Sequence, residues 1–359
     1  MHPVPKVKIH EIEIDKKCIL VVEVKKSEVL CSVGGIAYIR IGTGIRPLSV
    51  QEVVMLSSEM GTINWDEVPI ISRDAIKGEY LEWYFSRIYE LRGRKIEKCD
   101  WERYLRSVRA MRGEKLTNAG VLFFTDANTH IPHCGGRILF MRGNEVVESR
   151  EYAGPVWKVI DDMYSALLRE ISKEEVVLGT KRNVMHMYPP RAIREALINA
   201  FAHRNYAIAT DVKVFVYSDK IVVRSPGSLV PGVDINDPDH IPRNPALCTL
   251  LYDAGYIERY GYGLKMIRDV IASYPWLALR FNSKGHKFEV IFEVIREKLV
   301  DDVDRKILEL LSVERKSGEL SKMLGVSKPT VLKRIKRLEQ MGLVKSVGSS
   351  AHKRYVARR

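Results

Sequence analysis

Arg194-Glu195-Ala196-Leu197-Ile198-Asn199-Ala200-Phe201-Ala202-His203-Arg204-Asn205-Tyr206 carries two helical faces at once. With Ile193 before it, Ala196, Leu197, Ala200 and Phe201 recur at helical spacing and form a packing stripe. Glu195, Asn199 and His203 stand at i, i+4 and i+8 on another side. A carboxylate one turn before a carboxamide is what a magnesium–nucleotide site needs. The amide oxygen can ligate the ion, and the carboxylate can orient or deprotonate a water. Glu-x-x-x-Asn alone is common, so its surroundings decide its meaning.

Those surroundings read as a compact α/β unit from 189 to 297. Pro189-Pro190 precedes the helix Arg191–His203, and the strands Val212–Tyr217 and Ile221–Arg224 follow, turned at Ser218-Asp219. A Pro/Gly/Asp loop, Ser225–Pro245, leads to the helix Leu247–Ala254. Gly261-Tyr262-Gly263 then opens another helix, and Phe288–Phe292 closes the unit as a strand. Backbone amides at such a glycine-rich helix start can hold phosphates. Ser225-Pro226-Gly227, Gly232, Gly261 and Gly263 come in that order after Glu195 and Asn199.

Upstream, residues 6–60 read as strands, including Cys18–Val24 and Ile36–Ile41, followed by a short helix Ser49–Ser57. Residues 72–112 are helical and basic, with Arg103, Arg106, Arg109 and Arg112 three apart. A solvated helix face is preferred there to a nucleic-acid groove. Short strands are expected at Val121–Phe124 and Arg137–Met141, and a helix at Val156–Glu170.

The last 59 residues carry 15 Lys+Arg against 7 Asp+Glu, most of the chain's net charge of +13. A polyanionic partner is expected there. Val303, Ile307, Leu310 and Leu311 form one apolar stripe; Leu320, Met323 and Leu324 form a second. Gly325-Val326-Ser327 turns the chain, Ser327 caps a third helix, and Pro329 fits its first turn. On that helix Val331, Ile335 and Leu338 face inward, while Lys333, Lys336, Arg337 and Gln340 project outward. Strands Leu343–Val347 and His352–Val356 follow, with Lys353 and Arg354 beside the tip. This unit resembles the winged helix-turn-helix of prokaryotic and archaeal transcription regulators. The resemblance implies double-stranded DNA as partner, read by Ser327, Lys328, Thr330, Lys333, Lys336 and Arg337, with Lys353 and Arg354 on phosphates. A winged helix used for protein contacts is the competing reading.

The order of motifs in the middle unit, with Tyr188-Pro189-Pro190-Arg191 before it and Arg243-Asn244-Pro245 inside it, resembles a divergent branch of the GHKL (Bergerat-type) ATPases. That branch occurs in predicted transcription regulators often labelled RecG-related. Leu116-Thr117-Asn118-Ala119-Gly120-Val121-Leu122-Phe123-Phe124 is similar to the group's middle segment, and Tyr38-Ile39-Arg40-Ile41-Gly42-Thr43 to the end of a Schlafen-type Alba-like DNA-binding domain. The resemblance implies ATP with Mg²⁺ as cofactor. Asn199 would ligate the metal, Glu195 would position water, and Gly227 would line the adenine pocket. Gly261 and Gly263 would border the phosphates, and His203, Ser225 and Gly232 complete the nucleotide set. There are departures: Ser225 stands where standard GHKL sites place the aspartate that reads adenine, and His203-Arg204-Asn205-Tyr206 replaces His-Arg-Asp-Tyr. The Alba-like portion lacks its first half, so no Schlafen-like nuclease site is expected.

The expected architecture is therefore a multidomain α/β (α+β) chain. It has a partial Alba-like portion (1–60), a middle segment (61–185), a GHKL-like α/β sandwich (186–298) and a winged helix (299–359). With 46% hydrophobic and 29% charged residues over 359 positions, extensive disorder is excluded. No apolar run approaches the ~18 residues of a membrane span. The amino terminus lacks the pattern of a secretory signal, so a cytosolic protein with no membrane partner is expected. Five widely spaced cysteines, without Cys-x-x-Cys, argue against zinc ribbons and disulfides and read as buried thiols. Only two glutamines, Gln51 and Gln340, fit a heat-adapted organism. No Gly-x-x-x-x-Gly-Lys-Ser/Thr occurs, so a helicase is not expected. Three functions stay open: a nucleotide-gated, homodimeric transcription regulator, an ATPase in DNA remodelling or defence, and a constitutive repressor with a vestigial ATP site.

Overall fold

The computed structural model describes residues 4, 7–14, 17–24, 27, 30–60, 62–171, 175–178, 183–230, 233, 235, 241–258, 263–300, 302–340, 343–348 and 353–357. Its centre is a six-stranded sheet in the order Glu145–Tyr152, Gly136–Arg142, Val212–Val216, Lys220–Pro226, Lys287–Val294, Leu277–Ser283. Gly136–Arg142 and Val212–Val216 run parallel; every other neighbouring pair is antiparallel. Period-two alternation sorts the two faces. Ile138, Val214, Val223 and Val290 pair directly across four strands, and all four are buried. One residue along each strand, Arg137, Lys213, Arg224 and Glu289 pair on the opposite face. There Arg224 Nε and Asn282 Nδ2 each donate to Glu289 at 2.7 Å.

Three helices pack on one another and on the sheet: Val156–Ile171, Pro190–Ala202 and Gly263–Ala272. One hydrophobic core runs from Tyr84 through Phe292. It joins the segment holding the first two strands to the segment holding the last four. A second, separate core (Ile307, Leu311, Leu320, Val331, Ile335, Leu338, Val344, Tyr355) closes the carboxy-terminal winged helix. The α+β class and the terminal winged helix agree with the sequence. Among the described residues no helix is long and apolar enough to cross a membrane.

Some local readings change. Val121–Phe124 is the end of an α-helix, Asn118–Phe124, capped by Thr117 and wholly buried. An apolar run that short does not distinguish a strand from a helix facing protein on all sides. Met323 is exposed rather than in the stripe. Cys134 and Cys248 are buried, but Cys18 and Cys99 are exposed. The arginine series at 103–112 makes no common stripe, because its helix, Trp101–Ser107, ends before Arg109. Arg106 pairs with Glu102 and Glu114, and Arg109 with Glu67, as a solvated face does.

The helix Pro245–Asp253 is held at both ends by residues distant in sequence. Asp66 Oδ2 accepts from the amides of Ala246 (2.7 Å) and Leu247 (3.0 Å). At the other end Asp253 accepts from Tyr84 Oη (2.9 Å) and Tyr104 Oη (2.7 Å). Burial pushes the Asp66 carboxyl up to about 6, against the pull of the two amides. A folded carboxyl that holds its proton above the ordinary 3.8 loses its stabilising share as pH rises from about 4 through 6. Asp66→Asn keeps an acceptor for the amides and removes this titration. Urea denaturation between pH 4 and 7 should show a decline for the wild type, of order 2–3 kcal/mol, that the variant lacks.

Candidate nucleotide and DNA sites

The site helix starts at Pro190, whose missing amide costs nothing in the first turn, and ends at Ala202. Ile193, Ala196, Leu197, Ala200 and Phe201 are all buried, as the stripe required. Glu195 and Asn199 lie on the flank of this helix, where Asn199 Nδ2 donates to Glu195 Oε1 at 2.9 Å. That bond leaves the amide oxygen as the atom able to ligate a cation. His203 is the C-terminal cap.

These residues line a cavity of about 320 Å³, the size class of small-ligand pockets. Its other walls are Val223 and Ser225 on one strand, Phe288 and Val290 on the next, and Leu264 and Met266 on the helix Gly263–Ala272. Gly227 also lines it. Gly232 and Gly261 lie outside the described residues. Of the expected set, Glu195, Asn199, His203, Ser225, Gly227 and Gly263 thus converge on one cavity.

Gly263 sits closest to the chemistry. A Cβ there would lie 2.2 Å from Glu195 Oε1 and 2.8 Å from Asn199 Nδ2. The positive end of its helix therefore abuts the carboxylate directly. Burial raises the Glu195 carboxyl above the usual carboxylate range, against the Asn199 hydrogen bond and the Arg194 charge. Gly227, at φ +97°, is needed for a different reason. Its Cβ would meet Asn205 Cβ at 2.8 Å. Ser225 faces the cavity, but its hydroxyl donates to Ala200 O at 2.7 Å, so it meets a ligand only as an acceptor.

Residues outside the expected binding set complete the walls. Arg191 and Arg194 bring positive charge from the first turns of the site helix, and Arg194 lies over the Tyr256 ring at 5.6 Å. Tyr256 Oη donates to Asp161 at 2.6 Å. Arg243 binds His203 O (3.1 Å), Ser58 O (2.9 Å) and Ser228 O (2.5 Å). The arginines' place on the helix, one turn before and beside Glu195, was the available signal for two of them.

Two oxygen donors, Glu195 and Asn199, fit Mg²⁺, which keeps several waters and takes its other ligands from phosphate. Among the described residues no cluster of three or more His, Cys, Asp or Glu could hold a metal by itself.

In the winged helix the third helix is Lys328–Gln340. Thr330 N donates to Ser327 Oγ at 3.4 Å, and the two hydroxyls are 2.7 Å apart. Lys328, Thr330, Lys333 and Lys336 are exposed on one side, and Lys353 and Arg354 are exposed on the wing. Arg337 is half-exposed and also reaches back to the body of the domain. Its guanidinium donates to Leu299 O (3.0 Å) and lies 3.6 Å from Asp304, a wholly buried carboxylate that also binds Arg334 at 2.8 Å.

The family model described as "Putative ATP-dependent DNA helicase recG C-terminal" matches residues 209–292, and that described as "Winged helix-turn-helix DNA-binding" matches 300–345. The chain thus contains a RecG-C-terminal-like, ATPase-type domain followed by a winged helix-turn-helix. A crystal structure of the DIP2311 protein from Corynebacterium diphtheriae is similar with a TM-score of 0.52 and 16% identity, over 98% of this chain and 76% of that one. At that identity the likeness concerns the fold alone. No protein with a curated description matches the chain.

Gly263→Ala should cost only about 1 kcal/mol, the low end for overpacking, because the atoms it meets, Glu195 Oε1 and Asn199 Nδ2, are side-chain tips that can shift. The readout is the denaturant midpoint at constant slope. In the winged helix, Arg337→Ala should lower the melting temperature through a lost charged hydrogen bond of about 1.5–3 kcal/mol. Lys333→Ala with Lys336→Ala should leave melting unchanged and reduce the salt slope of DNA binding by about 1.8.

Proposed function

We propose that this chain is a DNA-binding transcription regulator whose affinity for DNA is set by a magnesium–nucleotide complex in the Glu195–Asn199 cavity. One observation carries the reading. The strand that walls the cavity with Phe288 and Val290 continues through Arg296–Leu299 directly into the winged helix. Leu299 packs on the large core, while the next residue, Val300, is buried in the winged-helix core. Arg337, on the recognition helix, binds the Leu299 carbonyl. A shift of that strand on ligand binding is therefore delivered to the helix that meets DNA.

In this reading Asn199 ligates Mg²⁺, Arg191 and Arg194 supply charge for phosphate, and the apolar strand residues hold the base. When bound, the ion neutralises phosphate charge. Gating requires the nucleotide to bind the two DNA-affinity states differently, and each tenfold of coupling is about 1.4 kcal/mol. Glu195 favours a second reading, slow hydrolysis, since a half-buried carboxylate of raised proton affinity, lining the cavity, suits a general base.

Calorimetric titration with Mg²⁺ and a non-hydrolysable ATP analogue tests the proposal. Saturable binding is expected, lost in Asn199→Ala without loss of fold, with DNA affinity shifted at least fivefold by the ligand. Binding without a shift would remove gating. No binding in a folded, DNA-competent protein would leave a plain winged-helix regulator. A hydrolysis rate abolished by Glu195→Ala would favour the ATPase.

A further inference from the structure

The amino-terminal hairpin pairs Val7–Ile14 with Lys17–Val24 and forms a two-stranded sheet of its own, with no further strand on either edge among the described residues. Its apolar side chains are exposed on both faces: Ile9 61%, Leu20 59%, Val22 51% and Val24 59% on one, Ile12 41%, Ile14 49% and Ile19 41% on the other. A two-stranded ribbon is marginal in water, and three or more strands are needed for independent stability. The outer edge of Lys17–Val24 has no proline and carries charge only at Lys17 and Glu23, so nothing along its centre protects it from pairing.

The sequence of that edge is self-complementary. When two copies of a strand pair antiparallel about a two-fold axis normal to the sheet, one residue must face its own copy. With Leu20 on the axis, Lys17 meets Glu23, Cys18 meets Val22 and Ile19 meets Val21, each pair occurring twice. Apolar residues thus meet apolar residues, and a salt bridge closes each end. A shift of the axis to Val21 sets Ile19 against Glu23. The first strand has no comparable register. An axis on His10 sets Ile9 against Glu11 and Val7 against Glu13, and an axis on Glu11 sets two glutamates together.

We infer that the chain forms a two-fold homodimer in which Lys17–Glu23 of one protomer pairs antiparallel with the same segment of a second copy, Leu20 facing Leu20. The product is a four-stranded antiparallel sheet with both first strands at its outer edges. This inference is independent of nucleotide binding and of the winged helix's ligand.

Sedimentation equilibrium of the full-length chain tests it, with circular dichroism as the check on fold. The wild type should be dimeric. Leu20→Lys places two like charges on the axis and should raise the dissociation constant at least tenfold; within its own hairpin the new side chain faces Glu11, so the fold is spared. Leu20→Glu combined with Glu11→Lys, which keeps opposite charges facing each other within the hairpin, should do the same. An equimolar mixture of the two variants should recover the dimer, since opposite charges then meet on the axis. A monomeric wild type, dimers unaffected by either substitution, or variants that fail to recover on mixing would each overturn the inference. Persistent dimers would place the contact on another surface, and a monomer would leave the edge to a different partner.

Discussion

The site helix ends inside the protein, and the structure around it is arranged to satisfy the carbonyls that this leaves. A helix terminus has carbonyls without helical partners, and burying one unpaired costs about 1–3 kcal/mol. Here Asn244 Nδ2 donates to both Ala202 O and Arg204 O at 2.9 Å, and Arg243 Nε donates to His203 O. Both side chains are buried and come from a segment some forty residues later. Because these bonds fix residues 243–244, they also fix the start of the helix Pro245–Asp253. That helix in turn takes its cap from Asp66 and its far anchor from Tyr84 and Tyr104.

The same knot reaches the amino-terminal part of the chain. Ser58 Oγ donates to Asn205 Oδ1 at 3.1 Å, Asn205 Nδ2 donates to Met55 O at 3.2 Å, and Arg243 binds Ser58 O. An aspartate at 205 would have no donor for Met55 O, so the asparagine amide has a local physical role. Gly227 then approaches Asn205 too closely for any side chain. Tyr206 adds a stacked contact with Trp65 at 5.3 Å. Cavity wall, helix end and the helix Val50–Glu59 are thus tied through a few buried polar groups, each with its partners supplied by a different segment.

Legibility followed the range of the interactions. Capped and periodic elements were readable. Ser49 with Glu52 forms a capping box at Val50–Glu59, the stripe of Pro190–Ala202 is buried residue for residue, and the helical positions selected by spacing in the winged helix, Met323 excepted, lie in or against its core. Elements whose burial comes from all sides were not. Asn118–Phe124 has no polar face to reveal a helical period, and Glu145–Tyr152 and Leu277–Ser283, the two edge strands of the sheet, went unmarked. In the site, Glu195 and Asn199 were recognisable because they share a helix. Arg243 was passed over as a binding residue, since its three acceptors lie 15 to 185 positions away.

By itself, then, the sequence determined what depends on neighbours three or four residues apart, or two apart in a strand: the helical faces, the caps, the winged helix and the self-complementary edge Lys17–Glu23. Only the tertiary structure decided which partner each polar group found. It placed Gly263 against Glu195, committed the Ser225 hydroxyl to Ala200 O, and joined the half-exposed Arg337 to Leu299 and Asp304. The reason is that side-chain periodicity is a local property of the backbone. Pairing of a buried donor is settled by whichever unsatisfied acceptor packing brings within 3 Å, and no spacing along the chain records it.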